Sequence, residues 1–336
     1  MKIRILSAGY LTSVQDLGRT GFRQSGVCMG GALDSHALRV ANAVVGNEDN
    51  AAGLEATLGK VRIQFEDRRI VAWCGGRFAV RINGEDLLPG HAALVGNNDE
   101  LLMTAPTTGA RAWLAVSGGI DLPKILGSWS TDLRGNFGGY EGRSLRDGDF
   151  LSLGHTESLK ERRFETATEQ NERSQLAAPW ISKWSAPTNW ASLAKENAVL
   201  RVIRGSDWNR FTNAAQASLV STSFTVTQDS DRMGVRLEGL KLDCVDAEDL
   251  LSEAVSPGTL QVPPNGQPIL LLADCQTIGG YPKIAHVISV DLPVAAQLWS
   301  GDAVHFHEVS LAEAQRLLRE REEDFARFRV GLSLHA

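Results

Sequence analysis

The sequence predicts a mainly β protein of two domains. Three observations point there. Short β-branched or alternating runs recur along both halves. Turn signals such as Asn83-Gly84 and Asn265-Gly266 separate them. The chain has 336 residues, more than one core usually organises.

Taken in order, Met1-Lys2-Ile3-Arg4-Ile5-Leu6 alternate without a long apolar centre, which predicts a strand and not a signal peptide. Strands are expected at Val61–Phe65, Ile70–Cys74, Phe78–Ile82, Leu101–Thr104 and Ala112–Val116. In the second half they fall at Leu200–Arg204, Phe224–Thr227, Leu260–Pro263, Ile269–Ala273, Val287–Val290 and Ala303–Phe306. Helices are few. Asp34 can cap one running through Val45, with Leu38, Ala41 and Val45 on one face and Gly46 at its end. Asp291–Trp299 predicts a short helix. Leu311–Arg329 predicts a C-terminal helix with a partial apolar stripe among solvated charges.

Composition shifts between His155 and Asn197: a polar run, Glu157–Gln175, precedes Trp180, Trp184 and Trp190. This divides the chain into a β domain at 1–155, a tryptophan-containing connector at 156–197 and a second β domain with a terminal helix at 198–336. The tryptophans are too apolar to leave in water, so the connector is expected to pack. A Gly-Asp turn before an apolar strand occurs in both halves, at Gly148-Asp149-Phe150 and Gly301-Asp302-Ala303, a faint sign of repetition.

Hydrophobic residues make up 43% and charged residues 22%, with a net charge of −6, and no basic stripe suited to nucleic acid stands out. No apolar run approaches membrane-spanning length. Cys28, Cys74, Cys244 and Cys275 form no C-x-x-C pair, which fits free thiols in a cytoplasmic protein. Several catalytic patterns are missing. There is no G-x-S-x-G elbow and no G-x-G-x-x-G fingerprint. Gly53 to Lys60 misses the phosphate-loop spacing by one residue, and Val61 replaces its Ser or Thr. His305 and His307 share a strand face but lack further ligands of matching spacing, so no metal site is expected. Cys275 lacks an identifiable base and is read as a buried structural thiol.

Three segments concentrate polar side chains and glycines beyond what strands require. The first runs from Thr12-Ser13-Val14-Gln15-Asp16-Leu17-Gly18-Arg19 to Gly30-Gly31-Ala32-Leu33-Asp34 and Asn42. The second joins Ser117-Gly118-Gly119-Ile120-Asp121 to Gly127-Ser128-Trp129-Ser130-Thr131-Asp132, Arg134 and Arg143. The third joins Asp231-Arg232-Met233-Gly234-Val235-Arg236 to Gln261 and Asn265, and ends in Asp274-Cys275-Gln276-Thr277-Ile278-Gly279-Gly280-Tyr281-Pro282-Lys283. Glycine pairs let backbone N–H groups approach a ligand. Arginines fork onto carboxylate or phosphate. Gln, Asn and Thr orient an amide. Together they predict a site for a small anionic, amide-like substrate.

The runs V-Q-D-L-G-R, G-G-I-D-L-P, L-G-S-x-S-T-D, D-R-M-G-V-R-L and Q-T-I-G-G-Y-P-K-I resemble the biotin-dependent carboxyltransferase-domain family from about Ile3 to Phe306. That family includes allophanate hydrolase subunit 2, the second carboxyltransferase subdomain of urea carboxylase, and the C subunit of bacterial 5-oxoprolinase. G-F-R-Q-S-G and G-A-L-D near the start are most similar to the 5-oxoprolinase branch. The resemblance implies two cyclophilin-like β-barrel domains with a few short helices, and a heteromer with a homologous first subunit and a separate hydrolase subunit.

It further implies an ATP-dependent amidohydrolase active only in a complex, opening 5-oxo-L-proline to L-glutamate, with ATP and Mg²⁺ used by the complex as a whole. On this reading Arg232, Arg236, Gln276 and Lys283 are the catalytic candidates. Arg19, Arg134 and Arg143 join the two former arginines in holding carboxylate or phosphate. Gln15, Gln261, Gln276 and Thr277 position the amide, while Gly279, Gly280 and Lys283 face developing negative charge. Asp16 and Asp274 orient an arginine, or act as base or Mg²⁺ ligand. Asp34, Asn42, Asn265 and Tyr281 complete the substrate-binding candidates. An alternative is carboxyl transfer to urea or a similar amide, using biotin on a carrier that this chain lacks. A third is a non-enzymatic protein binding a kinase inhibitor.

Overall fold

The computed structural model describes residues 2–155, 179–192, 197–245 and 250–334. The polar run Glu157–Gln175 lies outside them. The chain forms two compact units, Met1–Gly18 with Asp34–Ala194 and Ala326–Ala336, and Arg19–Leu33 with Lys195–Phe325. Residues 19–33 group with the second half, which no feature of the sequence announced.

The first unit contains β1 (Lys2–Ala8), β2 (Leu11–Gln15), β3 (Gly53–Thr57), β4 (Val61–Phe65), β5 (Arg69–Gly75) and β6 (Val80–Ile82). It continues with β7 (Glu85–Asp86), β8 (His91–Val95), β9 (Glu100–Met103), β10 (Arg111–Val116), β11 (Phe150–Ser152) and β12 (Ile181–Ser185). They form two six-stranded sheets, in the orders β11-β1-β4-β9-β6-β7 and β12-β8-β5-β10-β3-β2. Alternation builds β4, where Val61, Ile63 and Phe65 point inward and Arg62 outward. One core is filled from both sheets, including Ile3, Ile5, Leu54, Val71, Trp73, Leu101 and Leu114, each contributing about 1.5–3 kcal/mol of burial. Every residue of β5 and of β10 is buried. The helix Ser35–Val44 begins where expected, with the Asp34 carboxylate accepting from the Ala37 N–H at 2.8 Å. The tryptophan segment does pack: β12 adds to the edge of the second sheet beside β8. Trp190 stacks edge-on against His36 at 5.3 Å and Phe328 at 5.7 Å.

The second unit contains β13 (Asn197–Arg204), β14 (Ser223–Val226), β15 (Gly234–Glu238), β16 (Glu253–Ala254), β17 (Thr259–Gln261), β18 (Ile269–Leu271), β19 (Ile278–Gly279), β20 (Lys283–Val287) and β21 (Ala303–Glu308). Seven of these close a barrel, β13-β20-β17-β18-β15-β14-β21, and β16 pairs with β19 as a separate ribbon. Leu200, Val202, Phe224, Leu237, Leu260, Leu270, Val304 and Phe306 are buried by the same alternation. Closure rests on β13 running parallel to β21 and antiparallel to β20.

Two expectations shift. The strand placed at Val287–Val290 ends at Val287, and Ser289–Asp291 form a 3₁₀ turn. The helix placed at Asp291–Trp299 is confined to Leu292–Ala295, with Pro293 near its start. The helix Asn213–Ser221, capped by Thr212, was not foreseen. The terminal helix spans Leu311–Leu334. No helix among the described residues is long and apolar enough to cross a membrane.

Candidate functional site

In the second unit, the segment 274–283 gathers most of the expected residues. Asp274 sits at the end of the β18 loop, 9% exposed. Arg232 grips its carboxylate with two hydrogen bonds, Nε to Oδ2 at 2.7 Å and Nη2 to Oδ1 at 3.1 Å, and donates from Nη2 to the Gly31 carbonyl at 2.6 Å. Such a bidentate fork fixes both partners. Gly30 donates its N–H to the Ala273 carbonyl at 3.1 Å. Its φ is +63°, and a Cβ there would lie 3.3 Å from Arg19 Nη1 and 3.8 Å from Asp274 Oδ1. Glycine thus lets the backbone pass between the two side chains. Arg19, buried to 1% exposure, and Asp274 thus both face Gly30 within the same unit.

The second cluster rests on β17 and β20. Thr259 is the register partner of His286, Leu260 of Ala285 and Gln261 of Lys283, with a shift between Leu260 and Gln261. Thr259 and Gln261 share one face of β17 by alternation. The shift sets Lys283 on that face, as bulges do beside functional residues. Gln261 donates from Nε2 to the Tyr281 carbonyl at 3.2 Å and accepts from Gln276 Nε2 at 3.3 Å. Gly279 presses onto this amide: a Cβ there would stand 2.7 Å from Gln261 Nε2. The Lys283 ammonium donates to Glu253 Oε2 at 2.9 Å and lies 3.5 Å from Asp207 Oδ2. Burial, followed by the nearby Lys283 charge, lowers the pKa of His286, which lies 3.2 Å from the Thr259 hydroxyl. Thr277 is buried and its carbonyl accepts from the Val255 N–H at 3.1 Å. Gly280 and Tyr281 border the cluster, Tyr281 with 45% exposure.

Two candidates of this unit stand apart. Arg236 is exposed on β15, because Val235 and Leu237 take the inward positions. Asn265 closes the β17–β18 turn, its Oδ1 accepting from the Gln267 N–H at 3.0 Å. Their geometry fits surface and turn roles.

In the first unit, Asp16 is fully buried. Its carboxylate accepts from the Gly18 N–H at 2.8 Å, the Ser128 hydroxyl at 2.7 Å, the Trp129 N–H at 2.8 Å and the Ser130 hydroxyl. It holds two loops together and, among the described residues, pairs with no arginine. Gln15 donates to the Ser13 hydroxyl and the Thr131 carbonyl, while its buried Oε1 has no hydrogen-bond partner among the described residues. A ligand N–H or a water would satisfy it. Asp34 is the helix cap described above. Asn42 donates to the carbonyls of Asp49 and Ala51 and accepts from Asn47, a structural role. Arg134 is exposed. Arg143 forks onto Asp149 at 2.8 and 3.0 Å, raising its own pKa and lowering that of Asp149. It clamps the turn before β11.

Cys275 is 1% exposed and burial pushes its thiol up to about 11, against the opposing charge of Arg23. That suits a structural thiol. His305 and His307 lie exposed on β21. No group of three metal-ligating side chains occurs among the described residues. Sequence reasoning missed Glu253 and Asp207, the two carboxylates around Lys283 among the described residues. No local signal marks them, since they reach it from 30 and 76 residues away.

Comparison with known proteins gives the context. Residues 25–308 match the family described as carboxyltransferase domain, subdomain A and B. The chain is 37% identical over 323 residues to the 5-oxoprolinase C subunit of Escherichia coli, covering 96% of each. To the protein of the same name from Haemophilus influenzae it is 35% identical over 320 residues, 95% of each. The crystal structure of Kluyveromyces lactis urea carboxylase superposes with a TM-score of 0.85 at 29% identity, over 97% of this chain and 29% of that one.

Proposed function

We propose that this chain, which belongs to the carboxyltransferase-domain family, is a subunit of an ATP-dependent 5-oxoprolinase. The observation that carries the reading is the full-length similarity to the 5-oxoprolinase C subunit, together with the amide-and-ammonium cluster of Gln261, Gln276 and Lys283. The substrate has the two groups this cluster suits, a lactam amide and a carboxylate. Gln261 and Gln276 orient the amide, with their own geometry fixed by Tyr281 and Gly279. Lys283 supplies positive charge beside it. Arg232 positions Asp274 and the glycine turn.

ATP and Mg²⁺ belong to the complex, whose other members are a homologous first subunit and a separate hydrolase subunit, in the cytoplasm. ATP supplies phosphoryl activation of the lactam carbonyl, and the residues here bind and orient the lactam.

The similarity to urea carboxylase supports a second reading, carboxyl transfer from biotin to urea or a related amide. Co-purification with the first-subunit product, followed by an ATPase assay, separates the two. 5-Oxoproline is expected to stimulate phosphate release. Stimulation only by urea with bicarbonate and a biotin carrier would replace the first reading by the second.

A further inference from the structure

We propose that the Gln261–Lys283 face of the second unit binds a small carboxylate ligand, and that the Glu253 side chain occupies the place such a ligand takes. The inference rests on the reading above and deepens it, naming the group that holds the ligand carboxylate and the side chain that yields its place.

The argument starts from the asymmetry of the charges around one buried ammonium. Lys283 is 6% exposed, and its two carboxylate partners among the described residues differ in kind. Asp207 is 16% exposed and fixed, because its Oδ2 also accepts the Lys283 backbone N–H at 2.9 Å. Its separation from the ammonium, 3.5 Å, is that of an ion pair and not of a good hydrogen bond. Glu253 makes the short contact, 2.9 Å, yet it is 66% exposed and reaches in from outside. An ammonium has three donors, and among the described residues the carboxylate with the shorter contact to it is also the more exposed and the more easily withdrawn.

Glu253 stands on the two-residue strand β16, whose sheet partner is β19, and it lies directly opposite Gly279. The same ribbon thus brings the Glu253 carboxylate to Lys283 and presses Gly279 onto the Gln261 amide. The exposed Glu253 side chain loses rotamer freedom to hold this contact, so the pair is weak for its distance. A ligand carboxylate arriving with its own binding contacts takes over the same donor, and Glu253 returns to water at little cost. The neighbouring Gln261 and Gln276 amides then read the polar group next to that carboxylate.

The test is an equilibrium titration of the full chain with three probes: 5-oxo-L-proline, cyclopentanecarboxylate, which keeps the carboxylate without the lactam, and 2-pyrrolidinone, which keeps the lactam without the carboxylate. Both carboxylates are expected to bind and 2-pyrrolidinone to bind at least tenfold more weakly. Glu253→Gln, and independently Glu253→Ala, are expected to tighten both carboxylates by about fivefold, since the competing pair is removed. Lys283→Gln is expected to weaken them more than tenfold. The Glu253 variants change an exposed side chain and decide the matter even if Lys283→Gln does not fold. Unchanged or weaker carboxylate binding in both Glu253 variants, no carboxylate binding at all, or 2-pyrrolidinone binding as tightly as the carboxylates would each overturn the proposal. Equal affinity for cyclopentanecarboxylate and 5-oxoproline, with tightening in the Glu253 variants, supports the carboxylate site while removing support for a lactam substrate.

Discussion

Replacing Arg232 by alanine is expected to destabilise the second unit by about 3–5 kcal/mol, the usual cost of removing one partner from a buried ion pair. The structure sets the scale. Arg232 is 5% exposed and Asp274 9%. The substitution removes the contacts of 2.7 and 3.1 Å to that carboxylate and of 2.6 Å to the Gly31 carbonyl. It leaves a buried negative charge and a buried acceptor behind. Urea unfolding followed by tryptophan fluorescence measures the loss, with Trp208, 8% exposed, as a reporter in the same unit. With an m-value of about 1–3 kcal/mol/M, the midpoint falls by roughly 1 M or more. Arg232→Lys keeps the charge but not the fork, and is expected to lose about half as much. Arg236→Ala, four residues along the same motif but exposed, is the control and stays within about 0.5 kcal/mol of wild type. A loss under about 1 kcal/mol for Arg232→Ala, or one equal to that of Arg236→Ala, would refute the assignment of Arg232 as the clamp of the 274 loop.

Thiol reactivity follows burial. At about pH 8 in the folded protein, Cys74 and Cys275 are expected to resist a thiol reagent, because burial raises both pKa values, while the half-buried Cys28 and Cys244 react first. Peptide mapping after brief labelling checks this, and rapid modification of Cys275 would count against a structural role. Acid stability has a contribution from Asp149, whose folded pKa is lowered below 3.8, first by its hydrogen bond from Arg143. Its stabilisation is therefore complete above the unfolded pKa and lost as pH falls through the lower folded value. Asp149→Asn is expected to flatten that acid limb in denaturation curves taken across it, and an unchanged limb would contradict the linkage.

Much of the fold was legible from local pattern. Val61–Phe65 alternates so cleanly that its strand bounds coincide with the expected ones, and Asp34 announced its helix because a carboxylate at that position satisfies a free N–H. The helix Asn213–Ser221 was hidden because only Ala215 and Leu219 are buried on it, too few for a visible stripe. The strand Lys283–Val287 was misplaced because it opens on a buried lysine, and charge at a buried position breaks the pattern that alternation relies on.

The site was legible by residue type and not by role. Arg232, Asp274, Gln261, Gln276 and Lys283 do come together in pairs. Asp16 and Asn42 look like ligand residues in sequence, yet their polar atoms hold their own loops, because a buried carboxylate or amide takes the nearest backbone and hydroxyl partners. Glu253 and Asp207 were invisible for the opposite reason. Only the closing of the barrel and its ribbon brings them to Lys283.

The most direct test adds one methyl group to the site. In Gly279→Ala the new Cβ would fall 2.7 Å from Gln261 Nε2, pushing aside the amide that orients the lactam. With complex assembly unchanged, 5-oxoproline-stimulated phosphate release is expected to fall by about tenfold or more in kcat/KM, since a displacement near 1 Å is costly to a positioned group. A Gly279→Ala complex with wild-type kcat/KM for 5-oxoproline would contradict the placement of the substrate on this segment.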